Sequence, residues 1–395
     1  MNAQSGAVQD FDQQEHLQVV DSLRGYAIFL VIAVHAIGHV PDLIWPVKRV
    51  MLLGFYGVQL FFLASALTLL MSWSRSDDSF LPKSGKFLIR RFFRIAPLYY
   101  LAVIFYWFAY QVPPEQFDFK LLISSLLFYN AWSPYLTPTI SAWTPVPGGW
   151  SISVEFCFYF AFPLLAASIT NIQRAVLFFM ASVGVMILAH KFGASLYPEL
   201  DIEERANFLY FWPLNQLPIF ALGFLLYHCV KCPSVRQWLA NSRISTNAAS
   251  VLLCMAIIAL SFYGPKKFFD WPQREIPTHL IISAFFLGWA LTLVAKPTGL
   301  TLNKKISGLG KVSFSAYILH FAVLRYTGIS LKYIWPFTTS GVASVFYFLF
   351  LLAAAVCITR FASGLSYKYI EEPFIDIGKR LIRRIYYQPG GKMER

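Results

Sequence analysis

Ionisable side chains sit inside apolar runs of this chain, where each is costly and is therefore a functional hypothesis by default. Arg24 and His35 lie eleven residues apart in the stretch DSLRGYAIFLVIAVH. At helical spacing they stand ~20° apart around the axis and ~16 Å apart along it. An imidazole there could act as general base or nucleophile, or could simply bond a helix carbonyl. Arg24 could hold an anion, or snorkel to headgroups as a topology anchor. Glu155, in GGWSISVEFCFY, is a carboxylate among apolar and aromatic residues, so it must be protonated or paired. It enters its run to a depth similar to that of His35, which leaves open a His35–Glu155 contact that would fix the imidazole tautomer. Arg90, Arg91 and Arg94, in RRFFR, could clamp a phosphorylated cytoplasmic ligand in bidentate fashion, or serve only as positive-inside anchors. His320, in SFSAYILH beside Tyr317, either packs helices or lines the same site, as Trp150 and Ser151 could.

These groups need long apolar helices to carry them, and the composition supplies such helices. The chain has 395 residues, 57% hydrophobic and 18% aromatic, with 13% charged. Its mean hydropathy is +0.54. An ordinary soluble domain carries about 25% charged residues, so a soluble globule and a disordered chain are both excluded. The fold class is all-α, a polytopic integral membrane protein. Runs near the ~20 residues that cross a bilayer fall at 22–40, 50–73, 97–112, 150–169, 174–190, 208–230, 247–263, 279–295, 313–331 and 341–362. An eleventh run, 121–132, is short and precedes Pro134, Pro138, Pro145 and Pro147, so it reads as re-entrant or interfacial. The cations at Arg75, Lys83, Lys86, Arg90, Arg91 and Arg94 make that segment cytoplasmic. The basic stretches 231–243 and 296–311 fall on the same side, and the loop with Glu199, Asp201, Glu203 and Glu204 falls outside. Ten spans with both termini cytoplasmic follow, with an N-terminal tail at 1–20, a transmembrane domain at 21–375 and a basic tail at 376–395 suited to anionic lipids.

The net charge of +13 is distributed between apolar runs rather than along one stripe, which rejects a nucleic-acid partner. The five cysteines are scattered, and Cys229-Val-Lys-Cys232 has no second pair nearby, so neither a disulfide framework nor a metal is expected. The polar N-terminus lacks a basic n-region, which predicts no signal peptide. Gly308-Leu309-Gly310-Lys311 is too short for a P-loop, and neither HExxH nor GxSxG occurs.

Taken together, the ordered motifs resemble the acyltransferase-3 family of membrane-bound acyltransferases. They are Asp21-Ser22-Leu23-Arg24-Gly25 with His35, Gly57-Val58-Gln59-Leu60-Phe61-Phe62, Arg91-x-x-Arg94, Gly149-Trp150-Ser151 with Glu155, 313–320, and Tyr369-Ile370-Glu371-Glu372-Pro373-Phe374. Where the family often has Ser-Gly after the paired phenylalanines, Ser65-Ala66 stands here, small enough for helix packing to hold. Phe156 and Cys157 replace polar residues usual after the glutamate, which could change the acceptor pocket.

The resemblance implies a bacterial inner-membrane enzyme that moves an acyl group, most often acetyl, from cytoplasmic acyl-CoA to a hydroxyl of a surface glycan or its lipid-linked precursor. It implies no tightly bound cofactor. In that reading His35 is general base or transient acyl carrier, Glu155 orients it, and Arg24, Arg91, Arg94 and Arg90 hold the donor. The 121–132 segment and the prolines to Pro147 would roof the site. No hydrolase-like domain is seen after the last span, so a second transfer step would need an extracytoplasmic partner. The competing class is a transporter or flippase of a lipid-linked glycan, although no inverted repeat is visible.

Overall fold

In hydrocarbon a chain segment must satisfy its own backbone groups, and helices do so locally. Among the described residues every regular element is accordingly helical. The structure is a computed structural model describing residues 2–137, 143–240, 245–263, 278–295, 302–335 and 340–387. The first helices are α1 (Asn2–Ala36), α2 (Trp45–Met51), α3 (Gly57–Trp73), α4 (Phe80–Ala109) and α5 (Phe119–Leu126). Then come α6 (Gly149–Ser168), α7 (Ile172–Leu196), α8 (Ile202–Phe211), α9 (Pro213–Lys231) and α10 (Pro233–Ala240). The last are α11 (Thr246–Tyr263), α12 (Thr278–Ala295), α13 (Lys304–Lys311), α14 (Ser313–Ile334), α15 (Gly341–Ser366) and α16 (Glu372–Tyr386). Side-chain caps at Asp118, Asn171, Asp201 and Asn303 satisfy the first amides of α5, α7, α8 and α13.

Among the described residues, seven helical stretches are long and apolar enough to cross a membrane, and the bent pair α13–α14, which turns by 88°, makes an eighth if it crosses as one. The seven are Gln18–His39, Trp45–Trp73, Phe80–Ala109, Gly149–Ser168, Ile172–Gly193, Glu204–Lys231 and Gly341–Tyr386. Two shorter apolar helices, Thr246–Phe262 and Thr278–Val294, coincide with the seventh and eighth runs read from sequence. The architecture is that of a multi-pass membrane protein. The basic stretches 231–243 and 296–311 fall partly outside the described residues.

Three elements differ from the run boundaries. The first helix does not begin at 22 but runs back to Asn2. The third run extends toward its N-terminus through the basic segment, so Arg90, Arg91 and Arg94 lie on a 30-residue helix with Pro97 inside rather than in a loop. The last run continues beyond 362 through a π-helical turn, Tyr367–Glu371, into α16. Those 46 residues would extend ~69 Å as one rod, more than twice the hydrocarbon thickness, so part of the element must lie outside the apolar slab.

α1 is the axis of the bundle, packed against α3, α13, α14 and α15. α13 approaches it backbone to backbone: a Cβ on Gly25 would strike the Ile306 carbonyl, and one on Gly310 the Asp21 carbonyl. The small residues that permit this are Gly25 of the DSLRG stretch and Gly310 of α13, which is how Arg24 is locked in register. Ser65-Ala66 serves helix packing as its size requires, since Gly223 of α9 seats on Ala66 and Leu63 of α3.

α5 has only eight residues and cannot cross. The chain after it is tied to its neighbours, with Tyr100 donating to the Leu126 carbonyl at 2.9 Å and Ser153 to the Phe128 carbonyl at 2.7 Å. Phe128 adopts φ 56°, and its ring stacks on Phe156 at 3.8 Å. Cys157 Sγ accepts a bond from Trp132 Nε1 at 2.8 Å. Phe156 and Cys157 thus hold this segment to α6.

Candidate active site

Two groups of side chains meet inside the bundle. In the first, α1 supplies Arg24 and α4 supplies Arg91 and Arg94, three residues apart and so on one helix face. α6 supplies Glu155, and the π-helical turn supplies Glu371. Arg24 lies within electrostatic reach of Arg94, Glu155 and Asp21, and Arg91 within reach of Arg94, Arg24 and Glu155. Glu155 accepts a hydrogen bond from Tyr159 at 3.0 Å. Glu371 is 2% exposed, accepts from Ser315 and faces Arg94 and Arg24 electrostatically. Among the described residues, none of the three arginines closes a direct ion pair on these carboxylates. The Arg91 Nε is buried with no hydrogen-bond partner. A guanidinium left with donors to spare is suited to an anion brought to it from outside.

A narrow cavity of about 40 Å³ runs from this cluster, lined by Arg24, Glu155, Phe61, Ser151, Ser313 and Tyr317 among others. Two of its lining side chains, Ser151 and Tyr317, are held by the Gly148 carbonyl. The Tyr317 hydroxyl donates to the Gly148 carbonyl at 3.0 Å and accepts from Ser151 at 2.9 Å. Gly148 has φ +74°, and a Cβ there would also press on the Tyr317 hydroxyl, so the position demands glycine twice over.

Beyond Tyr317 stands the second group, a pair of imidazoles. The His320 ring is 5.7 Å from that of Tyr317 and 5.2 Å from that of His35. Phe321 packs on both, at 4.0 Å from His320 and 4.5 Å from His35. His35 Nδ1 lies 2.8 Å from the Val31 carbonyl and His320 Nδ1 2.7 Å from the Tyr317 carbonyl. A carbonyl only accepts, so both Nδ1 atoms carry a hydrogen, and in the neutral ring the lone pair is then on Nε2. A neutral imidazole in that tautomer is ready to take a proton at Nε2.

The structure therefore gathers most of the residues singled out from sequence, in a different pairing. His35 meets His320, Phe321 and Phe55, whereas Glu155 belongs with Tyr159 and the arginines, so Glu155 does not orient His35. Similar depth is one coordinate, and the faces of α1 and α6 supply the others. Arg90 is exposed and lies near Asp78 and Tyr387, away from Arg91 and Arg94. Trp150 is buried against Phe211 at 4.6 Å and Tyr210 at 5.7 Å, in the core and not at the cavity. Ser151 and Tyr317 do line it. The prolines expected to roof the site run partly through 138–142, outside the described residues.

Glu371, Tyr159 and Ser315 had no expected role: Glu371 and Ser315 fall in quoted motifs, but Glu371 follows a run whose hydropathy ends at 362, which gives no reason to place it in the bundle. Among the described residues, no group of three or more His, Cys, Asp or Glu could hold a metal ion.

A family profile described as an acyltransferase domain, Acyl_transf_3, matches residues 17–360. The chain is also similar to Acyltransferase MdmB of Streptomyces mycarofaciens, 29% identical over 338 residues that cover 81% of each chain. No solved structure matches.

Proposed function

The chain belongs to this acyltransferase family, and on that premise we propose that it carries an acyl group, most simply acetyl, from acyl-CoA at the cytoplasmic face to a hydroxyl of a cell-surface polysaccharide, oligosaccharide or lipid-linked glycan precursor. The observation that carries the reading is the arginine cluster. Among the described residues, Arg24, Arg91 and Arg94 are held inside the bundle without direct counter-ions, with Arg91 Nε unpartnered. That is the chemistry that receives the phosphates of a coenzyme A. The cavity is lined by Arg24 and by Tyr317, whose ring stands 5.7 Å from that of His320.

In this reading the arginines fix the donor and His35 Nε2 takes the acceptor's hydroxyl proton. The alkoxide oxygen attacks the thioester carbonyl, the C–O bond forms, the C–S bond breaks, and the proton leaves with the thiolate. Attack by His35 Nε2 itself, with transient acyl-imidazole formation, uses the same lone pair. Glu155, Tyr159 and Glu371 hold the arginines apart and in place. The enzyme works in the inner membrane of a bacterium, with ten crossings and both ends cytoplasmic.

Mass spectrometry of surface glycans from cells carrying wild type, His35→Ala or no protein tests this. An added acyl mass seen only with wild type is the expected result. An unchanged mass with reduced glycan export would sink acyl transfer to a glycan in favour of translocation. A wild-type mass shift that survives in His35→Ala would remove the mechanism.

A further inference from the structure

His320 has no assigned part in the chemistry above, yet its environment is costly for a residue that only packs helices. It is fully buried, and its Nε2 has no hydrogen-bond partner among the described residues. Buried polar atoms in folded proteins are nearly always bonded, so an unpaired one calls for an explanation. A phenylalanine or leucine would fill the same space at no such cost. The Nδ1–H to the Tyr317 carbonyl fixes the ring so that its Nε2 lone pair stays bare, as the Val31 carbonyl does for His35. The two rings stand 5.2 Å apart between centroids, inclined by 58°, and Phe321 covers both. That separation admits an N–H···N bond once one facing nitrogen carries a proton, and none while both are bare.

We propose that His320 is the positioning partner of His35, accepting a hydrogen bond from its protonated ring and so holding the acceptor's proton until the thiolate leaves. The inference rests on the acyl-transfer reading above. One proton enters the pair from the acceptor hydroxyl and the same proton departs on the thiol, so the pair ends each turnover as it began. No oxidant or reductant takes part. In the resting state both imidazoles are neutral, and the unpaired His320 nitrogen is the vacancy that the His35 proton fills.

The test uses the purified full chain in liposomes with radiolabelled acetyl-CoA as donor and a methyl glycoside or water as acceptor. His320→Asn is the informative variant. Its amide can still donate to the Tyr317 carbonyl from the Nδ1 position, while the Nε2 lone pair is lost together with the outer edge of the ring. Folding is checked by thermal melting in detergent. The expected result is a kcat reduced ~100-fold, the scale of a lost acid–base partner, with the donor KM within about threefold of wild type. The acid limb of the pH–rate profile should also be displaced from that of the wild type. If His320→Asn restores what His320→Ala loses, with an unmoved pH profile, the Nδ1 bond is the whole role and the proposal is overturned. Should the asparagine variant not fold, His320→Gln is read in the opposite sense: its amide oxygen reaches the Nε2 position and can accept, so a kcat near that of the wild type supports the proposal and a loss as deep as that of His320→Ala overturns it. The parent reading fails separately: an active His35→Ala removes both, whereas an inactive His35→Ala beside a normal His320→Asn removes this inference alone.

Discussion

An arginine that binds phosphate through a planar fork is not replaced by a lysine of the same charge. Arg91→Lys and Arg94→Lys keep the cation and lose the bidentate geometry, so each should raise the donor KM by about 10-fold or more while changing kcat less, as steady-state kinetics on purified protein would show. Glu155 gives a sharper test, because two pairings make opposite forecasts for it. Its partners are Tyr159 and the Arg24–Arg91 pair. Glu155→Gln keeps an acceptor for Tyr159 but removes the carboxylate that positions Arg24 and Arg91 electrostatically, so it should loosen donor binding by roughly 10-fold and leave the shape of the pH–rate profile unchanged. Had it oriented His35, the profile would move instead. The residue types were legible in the sequence because a bilayer makes Arg24, His35, Glu155 and His320 conspicuous. Their pairing was not, since distance from a helix end fixes depth and leaves azimuth and tilt open. The place of Glu371 beside the arginines was hidden for a related reason, its helix continuing past the point where hydropathy stops.

At the level of elements, the catalytic register of α1 depends on the backbone approach of α13 at Gly25 and Gly310. A methyl group at either place meets backbone, which cannot rotate aside as a side chain can. Gly25→Ala or Gly310→Ala should destabilise by at least the ~1–3 kcal/mol of ordinary overpacking, read as a lower melting temperature in detergent, and should cut activity with it. The spans themselves were readable because hydropathy is a local sum, and the ten apolar runs all became helices. The 88° break between α13 and α14 was not readable, because it follows from the α1 contact and not from local composition. A second junction ties α16 to the arginine helix. Lys86 bonds Asp78 at 2.7 Å and the Tyr387 hydroxyl at 2.7 Å, and Gly378 of α16 seats on Phe93. Hydrogen bonds from Lys86 and Ser76 hold the Asp78 carboxyl below its ordinary value. A depressed carboxylate stabilises in full above its unfolded value of about 3.9 and loses that contribution as pH falls through the lower folded value. Limited proteolysis of α16 should therefore be indifferent to pH from neutral down to about 4 and rise below it. Asp78→Asn should show the raised cleavage already at neutral pH.

For the whole molecule, parity of crossings decides whether the site faces the right compartments. Seven crossings put the two ends of the described chain on opposite sides of the membrane, whereas eight or ten put them on the same side. The difference rests on the bent α13–α14 pair, and then on whether α11 and α12, which pack on one another, cross together. The arginines of α4 can meet a cytoplasmic coenzyme only if the start of that helix faces the cytoplasm, which is the orientation that the excess of cations over acids between 75 and 94 predicts. In that orientation ten crossings would send the acidic loop with Glu199, Asp201 and Glu204 outside and return α16, with exposed Lys379, Arg380, Arg383 and Arg384, to the inner surface. Single cysteines placed at Asn2, Asp77, Glu199 and Lys379, in a background with the five native cysteines replaced, should sort cleanly with a membrane-impermeant maleimide on intact spheroplasts. Only the position at 199 should label before the membrane is opened. Labelling at 379 but not at 2 would mean an odd number of crossings, so that α14 enters and leaves by one face. Labelling at 77 would put Arg91 and Arg94 on the side where no acyl-CoA exists, and the donor assignment would fall with it.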